Sequence, residues 1–600
     1  MKHVRSGLLG NELLVDRLRL SKPFHGFTSR IKWFESFKTR RADLPTRPSI
    51  YSKDLLMRPI ADLAIEMGLD PSVLEPYGHD KAKIPLDAFP DVTDKAKLIV
   101  VTAITPTPAG EGKSTTAVGL TQGLAKIGKK PVLTIRQPAL GPVFGHKGGG
   151  TGGGKSTVQP AVDINLHFTG DFHAIESAHN LLAAMVDNAV YRNAISDFDA
   201  TGIAWRRVTD AEDRALRTIM TGAGGKLNGP VREAGFDINA ASEIMAICAL
   251  ASSYKDLRDR IGDIVVGWKK DGTTPVTARD IKGIGSIMAL LRDAIKPNLA
   301  QTAEGQPTIV HMGPFGNIAH GCSSIIADKL AVNCGEYVIT EAGFGADLGF
   351  EKFMDIKVRQ GSPKPSAAVV VATIRGLKWH GGVPIKEMAG ANPDAVRRGA
   401  ENLKNALRIV GLYGLPAVVA INRFPTDTPE EIAVVKEVAL AAGAVGVEEA
   451  KGFAEGGDGM TELAAAVVKA ADMPSDVKLL YKDDDDYFDK VENIAKSLYL
   501  AGDVKWGPMT KTTARRFAAN GWNFPVCIAK THLSISADPK LKGAPSGHTL
   551  PIRELRILAG ARQIVTLAGD IITLPGLPSK PNAWDIDLND DGEITGILST

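Results

Sequence analysis

The sequence predicts an α/β protein built from a P-loop nucleotide-binding domain with a parallel sheet and two smaller α/β domains. Three observations support this fold class. From Met57 onward, short apolar runs alternate with helical patterns, which is typical of parallel βαβ construction. A glycine-rich turn at residues 107–114 lies between an apolar run and a helical pattern, the usual position of a phosphate-binding loop. The chain has 600 residues, more than one hydrophobic core usually serves.

Four segments are expected along the chain. Residues 1–56 carry 12 Lys and Arg against 5 Asp and Glu and are predicted to be a basic, poorly ordered extension. This segment faintly resembles an organelle transit peptide, but its acidic residues favour the extension, so a cytoplasmic location is expected. Residues 57–355 are predicted to be the nucleotide-binding domain, 356–500 a second α/β domain and 501–600 a C-terminal α/β domain.

The individual elements follow from the local pattern of apolar and polar residues. A strand over 97–105 leads into a helix over 114–128 that ends at a glycine, and a second strand covers 131–135. This order suits a right-handed crossover between parallel strands. The glycines between Lys129 and Pro160 predict an irregular loop. Further strands are predicted at 337–340, 367–373, 417–422 and 563–568.

Composition excludes several classes of function. The four cysteines have no CxxC spacing, which excludes a disulfide scaffold and a thiolate zinc site and suits a reducing compartment. The net charge of +3 creates no overall field that would attract nucleic acid. The best apolar run, residues 367–374, is far shorter than the ~18 residues of a membrane helix. Neither a nucleic acid nor a membrane is therefore expected as a partner.

Residues 107–114 are the predicted nucleotide-binding loop. Backbone N–H groups there can surround phosphates, Lys113 can reach the β and γ oxygens, and Ser114 can ligate magnesium. The segment departs from the pattern GxxxxGK(S/T) at its first position, where Thr107 replaces glycine. The residues predicted to bind the cofactor here are Thr107, Pro108, Ala109, Gly110, Glu111, Gly112, Lys113 and Ser114.

A second stretch, residues 149–156, fits the same pattern letter for letter and offers Lys155. It follows a glycine loop rather than a strand, and Pro160 would interrupt a helix soon after Ser156. The position between a strand and a helix therefore favours Lys113 as the nucleotide lysine. The second stretch is interpreted as a flexible loop near a substrate.

Two further groups of residues look like metal sites. His167, Asp171, His173, Glu176 and His179 lie close together but lack HExxH spacing, so polar ligand contacts or structural histidines are preferred over a transition metal. Residues 587–593 resemble half of a calcium loop, but a leucine occupies its twelfth position. That segment is predicted to be a turn between two terminal strands.

Six long motifs along the chain point to one protein family. They are TPTPAGEGKSTT (105–116), GPVFGHKGGG (141–150), DINLHFTGDFHAIESAHNLLAA (163–184), DAIKPNLAQTAEG (293–305), HMGPFGNIAHGCSS (311–324) and TEAGFGADLGFEKF (340–353). Together they resemble formate–tetrahydrofolate ligase, also called 10-formyltetrahydrofolate synthetase. The resemblance begins near Met57 and covers about nine-tenths of the chain.

The resemblance implies an enzyme of one-carbon metabolism. In this family ATP, with magnesium, formate and tetrahydrofolate give ADP, phosphate and 10-formyltetrahydrofolate. The reaction is described through a formyl phosphate intermediate, whose formyl group is attacked by N10 of the folate. The family also implies a homotetramer that is stimulated by a monovalent cation.

The same resemblance assigns roles to residues outside the loop. Arg136, at the carboxyl end of the second strand, can hold two oxygens of formyl phosphate. Asp171 would lie near the formyl group and assist deprotonation of N10, although a cation-binding or structural carboxylate fits nearly as well. Lys113, Arg136 and Asp171 are thus the predicted catalytic residues. Phe344, Phe424 and Phe453 match positions where aromatic rings stack on a pterin or purine.

The chain also departs from the family pattern near these residues. Gln137 stands where the family usually has Glu, Lys155 replaces Tyr, Phe453 replaces Trp and Glu455 replaces Lys. A Gln-Tyr pair is replaced by His532 and Leu533, and Gly-Phe by Arg562 and Gln563. Two alternatives stay open: a ligase that activates another small carboxylate, and a degenerate paralogue that only binds nucleotide.

Overall fold

The computed structural model describes residues 57–89, 96–108, 110–146, 149–569 and 571–597. The predicted extension of residues 1–56 and Ala109 of the predicted phosphate loop lie outside these residues. Within the described part of the chain, one mostly parallel sheet of 12 strands organises the fold. The predicted α/β fold class is confirmed.

The N-terminal part supplies the centre of the sheet. Strand β3 begins at a lysine and is buried from its second residue on, and helix α2 follows after the left-handed Gly112. The strands are β1 (Glu75–Pro76), β2 (Ala82–Lys83), β3 (Lys97–Ala103), β4 (Pro131–Ile135), β5 (Gly152–Gly153) and β6 (Ser156–Gln159). The helices are α1 (Ile60–Glu66), α2 (Lys113–Lys126), α3 (Leu140–Phe144) and α4 (Ala161–Asn165), with 3₁₀ turns at Pro71–Val73 and Leu86–Ala88.

A mixed segment follows, in which the 21-residue helix α5 packs its apolar side against α6 and α8. The helices are α5 (Asp171–Tyr191), α6 (Glu243–Leu250), α7 (Tyr254–Asp263) and α8 (Ile284–Leu291). The strands are β7 (Phe198–Ile203), β8 (Arg207–Thr209), β9 (Ile219–Thr221), β10 (Arg232–Ala234), β11 (Phe236–Ile238), β12 (Val265–Lys269) and β13 (Pro275–Thr277). Short 3₁₀ turns lie at Arg214–Leu216, Lys226–Asn228 and Asn239–Ala241.

The chain then returns to the large sheet. The strands are β14 (Asn298–Thr302), β15 (Pro307–Val310), β16 (Tyr337–Glu341), β17 (Ala367–Ala372), β18 (Ala417–Asn422) and β19 (Gly446–Ala450). The helices are α9 (Ile325–Cys334), α10 (Ile374–His380), α11 (Pro393–Leu412), α12 (Pro429–Ala441), α13 (Gly452–Glu455) and α14 (Thr461–Ala471). Two π-helical turns cover Ala346–Phe350 and Phe353–Val358, and 3₁₀ turns cover Ile385–Glu387 and Gly456–Met460.

Smaller sheets complete the C-terminal part. The strands are β20 (Asp503–Trp506), β21 (Val526–Ala529), β22 (Thr549–Ile552), β23 (Glu554–Leu558), β24 (Gln563–Leu567), β25 (Asp587–Leu588) and β26 (Ile594–Thr595). The helices are α15 (Tyr487–Ser497) and α16 (Thr510–Ala519), with a 3₁₀ turn at Asn582–Trp584. Because β25 pairs antiparallel with β26, the calcium-like segment is the predicted turn between two terminal strands.

The strand order of the large sheet is β1-β2-β14-β15-β4-β16-β3-β17-β18-β19, and β6 pairs with β14. From β15 to β19 all neighbouring strands run parallel. The predicted boundary between residues 355 and 356 falls between β16 and β17, which both pair with β3. The division into domains stays a prediction, and the sheet is continuous across this boundary.

Helices cover both faces of the sheet, which explains the continuous apolar strands. On β3, Leu98 and Val100 pack in one core with residues of α9 and α11. Ile99 and Val101 point the other way, into a second core with residues of α2 and α14. Alternation along a strand therefore feeds two separate cores.

The predicted strands and the predicted helix α2 are confirmed, with ends that differ by at most two residues. The prediction of an irregular loop over 129–160 is wrong in part, because α3, β5 and β6 lie in it. Strand β6 forms because it pairs with β14, far away in the chain. The two glycines of β5 form a strand by pairing with β6, and this pairing outweighs the local disfavour of glycine for strands.

A buried carboxyl group at the start of α6 predicts a pH-dependent stability. Glu243 is 4% exposed, and its Oε1 accepts hydrogen bonds from the amides of Gly560 (2.8 Å) and Ala561 (3.3 Å). Burial raises the pKa of Glu243 from 4.5 to about 8. Between these values unfolding releases a proton, so the free energy of unfolding falls as pH rises, by up to about 1.4 kcal/mol per pH unit. Glu243→Gln keeps the shape of the side chain and an oxygen that accepts these hydrogen bonds, but the amide group cannot ionise.

We therefore expect Glu243→Gln to raise the urea midpoint relative to wild type at pH 8.5, with the two proteins converging at pH 5. Circular dichroism at both pH values measures this. The exposed Glu387→Gln is the control for loss of one carboxylate. Equal midpoint differences at the two pH values would contradict the assignment.

Candidate active site

The candidate site lies along the edge where the parallel strands of the large sheet end. Ligands of open α/β sheets bind outside these carboxyl ends. The loop before Lys113 follows β3, and Arg136 directly follows β4. The remaining strands of this edge end next to further candidate residues, namely Glu341 and Phe344 at β16, Thr373 and Arg375 at β17, Asn422 and Phe424 at β18, and Lys451 and Phe453 at β19.

Two glycines give the phosphate loop its shape. Gly110 and Gly112 have φ values of +72° and +73°, a region that favours glycine. A methyl group added at Gly112 would come within 2.2 Å of the Asn422 side chain. The same Asn422 donates from Nδ2 to the carbonyl of Glu111 at 3.1 Å. The loop is therefore closed tightly onto the end of β18.

The buried Glu111 side chain stabilises the phosphate loop through hydrogen bonds. Its Oε1 accepts from the amide and hydroxyl of Thr107 at 3.1 and 2.8 Å, and its Oε2 accepts from the Thr373 hydroxyl at 2.7 Å. Burial raises the pKa of this carboxyl group, and these hydrogen bonds with nearby Lys113 oppose the rise. The carboxyl group thus links the phosphate loop to the cap of α10 rather than projecting toward a ligand.

Lys113 and Ser114 open helix α2, whose first N–H groups face the loop. Burial lowers the pKa of the Lys113 ammonium, while the charges of Glu111 and Glu341 act against this. The Ser114 hydroxyl donates to Glu341 Oε2 at 2.8 Å. A hydroxyl beside a carboxylate is a donor set that suits magnesium, so these two residues fit that ion.

Glu341 is a site residue that was not predicted from the sequence. It is the last residue of β16 and is buried. An acidic residue at the end of an otherwise apolar strand is the signal that could have identified it, because burying a carboxylate requires a partner. Its partner is Ser114, which lies far from it in the sequence.

Arg136 lies beside the loop that carries Phe344. Its Nη1 donates to the carbonyl of Pro314 at 3.1 Å, and a methyl group added at Gly343 would lie 3.4 Å from Nη2. Its Nε is buried and has no hydrogen-bond partner among the described residues. A guanidinium with an unused donor fits an anion with two or more oxygens.

A cavity of about 730 Å³ adjoins the phosphate loop. It brings together Phe424 and Phe453, two of the three phenylalanines that the family resemblance gives as ring-stacking residues. The guanidinium carbon of Arg375 lies 3.7 Å from the centroid of the Phe424 ring, and Phe453 is 51% exposed. The lining also includes Gly110, Gly112, Thr115, Asn422, Arg423, Pro425, Lys451, Ala454 and Glu455. The cavity fits a flat aromatic ring next to a phosphate chain.

The second glycine stretch, residues 149–156, contacts Phe453, one of the residues that line this cavity. Residues 152–159 form a hairpin of β5 and β6 with the exposed Lys155 in its turn. The Lys155 amide donates to the carbonyl of Phe453 at 2.9 Å, and a methyl group at Gly153 would lie 3.2 Å from the Phe453 ring. Ser156 opens strand β6 rather than a helix, and the next helix begins only after Pro160, at Ala161. The hairpin therefore packs against Phe453. Of the two lysines, only Lys113 lies between a strand and a helix.

Phe344 lies apart from the other two aromatic residues. It does not line the cavity of Phe424 and Phe453. Its backbone has a φ of +59°, its ring lies against Gly316, and it stacks on His532 with centroids 5.1 Å apart and planes 25° apart. It follows Gly343, on which Arg136 lies, so Phe344 belongs to the Arg136 end of the site.

Asp171 is held in a buried ion pair. Its Oδ1 accepts from Lys83 Nζ at 2.7 Å and its Oδ2 from Asn298 Nδ2 at 2.7 Å, and Asp171 is 1% exposed. Asn298 also donates to the carbonyl of Val310, which pairs with Ile135 just before Arg136. Asn298 thus links the Asp171 carboxylate to β15, the strand next to β4, and both carboxylate oxygens accept hydrogen bonds.

Within the histidine cluster, His179 has a structural role. His179 bonds through Nδ1 to the Ser242 hydroxyl (2.8 Å) and through Nε2 to the carbonyl of Arg206 (3.0 Å). It also stacks on Trp205 at 4.1 Å. Burial lowers the pKa of His179 to about 3, so it stays neutral. No three His, Cys, Asp or Glu side chains of the described residues are grouped to hold a metal.

The departures from the family pattern lie in three different places. Lys155, Phe453 and Glu455 lie in the two loops at the cavity. Gln137 is 2% exposed, and its side-chain oxygen and nitrogen have no partner among the described residues. By contrast, Arg562 has a φ of +53° and lies 3.8 Å from Asp256 of α7, outside the residues that line the cavity.

Across the described residues, we find no helix that is both long and apolar enough to cross a membrane.

The family model "Formate--tetrahydrofolate ligase" matches residues 49–598. A formate–tetrahydrofolate ligase of Roseiflexus sp. (strain RS-1) is 52% identical over 552 residues, 90% of this chain and 98% of that protein. The same-named proteins of Saccharopolyspora erythraea and Allorhizobium ampelinum are 49% and 51% identical, over 91% and 90% of this chain and 98% of each relative.

Proposed function

The chain belongs to the formate–tetrahydrofolate ligase family, and from this membership we propose that it uses ATP to join formate to tetrahydrofolate. The products are 10-formyltetrahydrofolate, ADP and phosphate. One observation carries the proposal: the phosphate loop, Arg136 and the three phenylalanines all follow the carboxyl ends of neighbouring parallel strands. One sheet edge thus offers a phosphate site, an anion site and aromatic faces.

The phosphates of ATP are assigned to the loop that ends in Ser114. The left-handed glycines and the N-terminus of α2 direct N–H groups at oxygens, and Lys113 adds a positive charge. Ser114 and Glu341 are the residues that would hold magnesium, which neutralises charge on the phosphates. Phe424, stacked on Arg375, and Phe453 would hold the purine, because their cavity adjoins this loop.

Arg136 is assigned to formyl phosphate. Formate is a poor acyl donor, and transfer of the γ-phosphoryl group from ATP to a formate oxygen gives it a phosphate leaving group. Two anions must approach each other in this step, which needs fixed positive charge. Arg136 donates a hydrogen bond to the carbonyl of Pro314 and lies against Gly343, so it supplies that charge at the carboxyl edge of the sheet.

The second step forms the carbon–nitrogen bond. N10 of tetrahydrofolate attacks the formyl carbon, the carbon–oxygen bond to phosphate breaks, and the departing phosphate takes up the proton that N10 loses. Phe344 is the aromatic residue next to Arg136, and the family resemblance gives it, together with Phe424 and Phe453, as a candidate to stack on the pterin. Asp171 is assigned to positioning, because Lys83 and Asn298 occupy both of its oxygens and link it to the strand beside β4.

The test is product formation with ATP, magnesium, formate and tetrahydrofolate, with each omitted in turn. Acid converts 10-formyltetrahydrofolate to the methenyl form, which is read by its absorbance. We expect product only when all are present. Release of ADP with acetate but no folate product would favour a ligase for another carboxylate. ATP binding without any turnover would favour a degenerate paralogue that only binds nucleotide.

A further inference from the structure

Thr105, which lies two residues beyond β3 and two residues before the phosphate loop, is held at each of its polar groups. Its amide donates to Asn402 Oδ1 at 2.9 Å. Its hydroxyl accepts from Asn402 Nδ2 at 2.9 Å and donates to Asp347 Oδ1 at 3.1 Å. Its carbonyl accepts from His380 Nε2 at 2.8 Å. The point where the chain leaves the sheet and approaches the loop is therefore fixed by side chains from other elements.

His380, the last residue of α10, joins Thr105 to the C-terminal part of the chain. Its Nδ1 accepts from the amide of Gly543 at 3.2 Å, while its Nε2 donates to the carbonyl of Thr105. Because an amide N–H only donates and a carbonyl only accepts, the two partners fix one neutral tautomer with its proton on Nε2. Burial lowers the pKa of His380 to about 4, so the neutral ring is the form present near pH 7.

Gly543 binds the same two side chains that hold Thr105. Its amide donates to His380, and its carbonyl accepts from Asn402 Nδ2 at 2.7 Å. Asn402 is 1% exposed and His380 is 5% exposed, so water competes little for these hydrogen bonds. Two buried side chains thus connect the C-terminal segment at Gly543 to the residue from which the phosphate loop starts.

We infer that His380 is a positioning residue for ATP, because it holds the carbonyl of Thr105 and is itself held by the C-terminal segment at Gly543. The inference rests on the proposed function, in which the phosphate loop holds the phosphates of ATP. Strand β3 is fixed by its neighbours β16 and β17, but the peptide groups after it have no sheet partner to orient them. A shift of the Thr105 carbonyl would turn these groups and misdirect the N–H donors of the loop.

Two substitutions of His380 separate its two hydrogen bonds. Gln can place an N–H donor near the position of Nε2, whereas Asn can place an acceptor oxygen near that of Nδ1. We expect His380→Asn, which loses the bond to Thr105, to raise KM and the equilibrium Kd for ATP about threefold to tenfold, the range of one hydrogen bond. His380→Gln keeps that bond, and Asn402 still holds Gly543, so both values should rise by no more than about twofold. In both variants kcat and KM for tetrahydrofolate should stay within about twofold of wild type.

His179→Asn is the matched control for loss of a buried imidazole. His179 also bonds through Nε2 to a carbonyl and through Nδ1 to a polar group, but its partners are Arg206 and Ser242. We expect it to lower the urea midpoint without changing Kd for ATP, which isothermal titration calorimetry with ATP and magnesium measures for all variants. An unchanged Kd in His380→Asn, equal rises in His380→Asn and His380→Gln, or the same rise in His179→Asn would overturn the inference. A wild-type protein that binds ATP but forms no folate product would instead overturn the proposed function, and the comparison of Kd values would still decide the role of His380.

Discussion

Lys113→Ala is expected to lower ATP-dependent turnover by at least about 10²–10³-fold, the usual cost of removing a charge-stabilising group from an active site. The Lys113 ammonium opens helix α2 beside the phosphate loop and is influenced by the charges of Glu111 and Glu341. Its removal leaves two acidic residues near the expected triphosphate and no cation from this loop. Turnover with saturating formate and tetrahydrofolate, together with equilibrium binding of ATP, measures the loss.

Lys155→Ala is the matched control, because Lys155 lies in the stretch that fits the phosphate-loop pattern letter for letter. Its side chain is exposed in a hairpin turn, and its contact with Phe453 is made by the backbone. We expect turnover within about tenfold of wild type, since the backbone contact survives the change. Normal turnover of Lys113→Ala, or an equal loss in both variants, would contradict the choice between the two lysines.

Lys83→Met is expected to lower the free energy of unfolding by about 3–5 kcal/mol, the usual cost of breaking a buried ion pair. Lys83 is fully buried, and its Nζ donates to Asp171 at 2.7 Å, to Asn298 Oδ1 at 3.0 Å and to the carbonyl of Lys296 at 3.1 Å. Methionine has a similar length but leaves the Asp171 carboxylate buried without its cation. Urea unfolding followed by circular dichroism measures the change.

Two further variants make this result specific. Lys83→Met combined with Asp171→Asn should recover part of the lost stability, because the uncompensated charge is removed. Lys404→Met removes a lysine whose ion pair with Glu401 is largely exposed, and it should cost less than about 1 kcal/mol. If Lys83→Met and Lys404→Met destabilise equally, the buried pair is not the source of the stability.

Local signals were sufficient for much of the fold. Strand β3, the loop before Lys113 and helix α2 are consecutive in the chain, so their apolar run, glycines and helical pattern predict them without knowledge of the rest. The same context separated Lys113 from Lys155, although only the second stretch fits the sequence pattern completely. The position of Arg136 after β4 followed from the same reasoning.

Contacts between distant segments could not be predicted in this way. The parallel strands from β15 to β18 in the sheet order are buried along almost their whole length, so the sequence does not reveal their order. That order places Glu341 beside Ser114 and separates Phe344 from Phe424. The pairing of β2 with β14 likewise brings together Lys83 and Asn298, which both bond Asp171. The prediction of an irregular loop over 129–160 was wrong for a related reason, since β6 pairs with β14, which lies far away in the sequence, as well as with β5.

The contact between the second glycine hairpin and Phe453 links two loops that lie far apart in the sequence. The amide of Lys155 donates to the carbonyl of Phe453, and a methyl group at Gly153 would lie 3.2 Å from the phenyl ring. Three of the departures from the family pattern, at 155, 453 and 455, lie in these two loops. A substitution that shifts the backbone of one loop therefore also shifts the other. The effects of substitutions at 155, 453 and 455 on the cavity are accordingly expected to be non-additive.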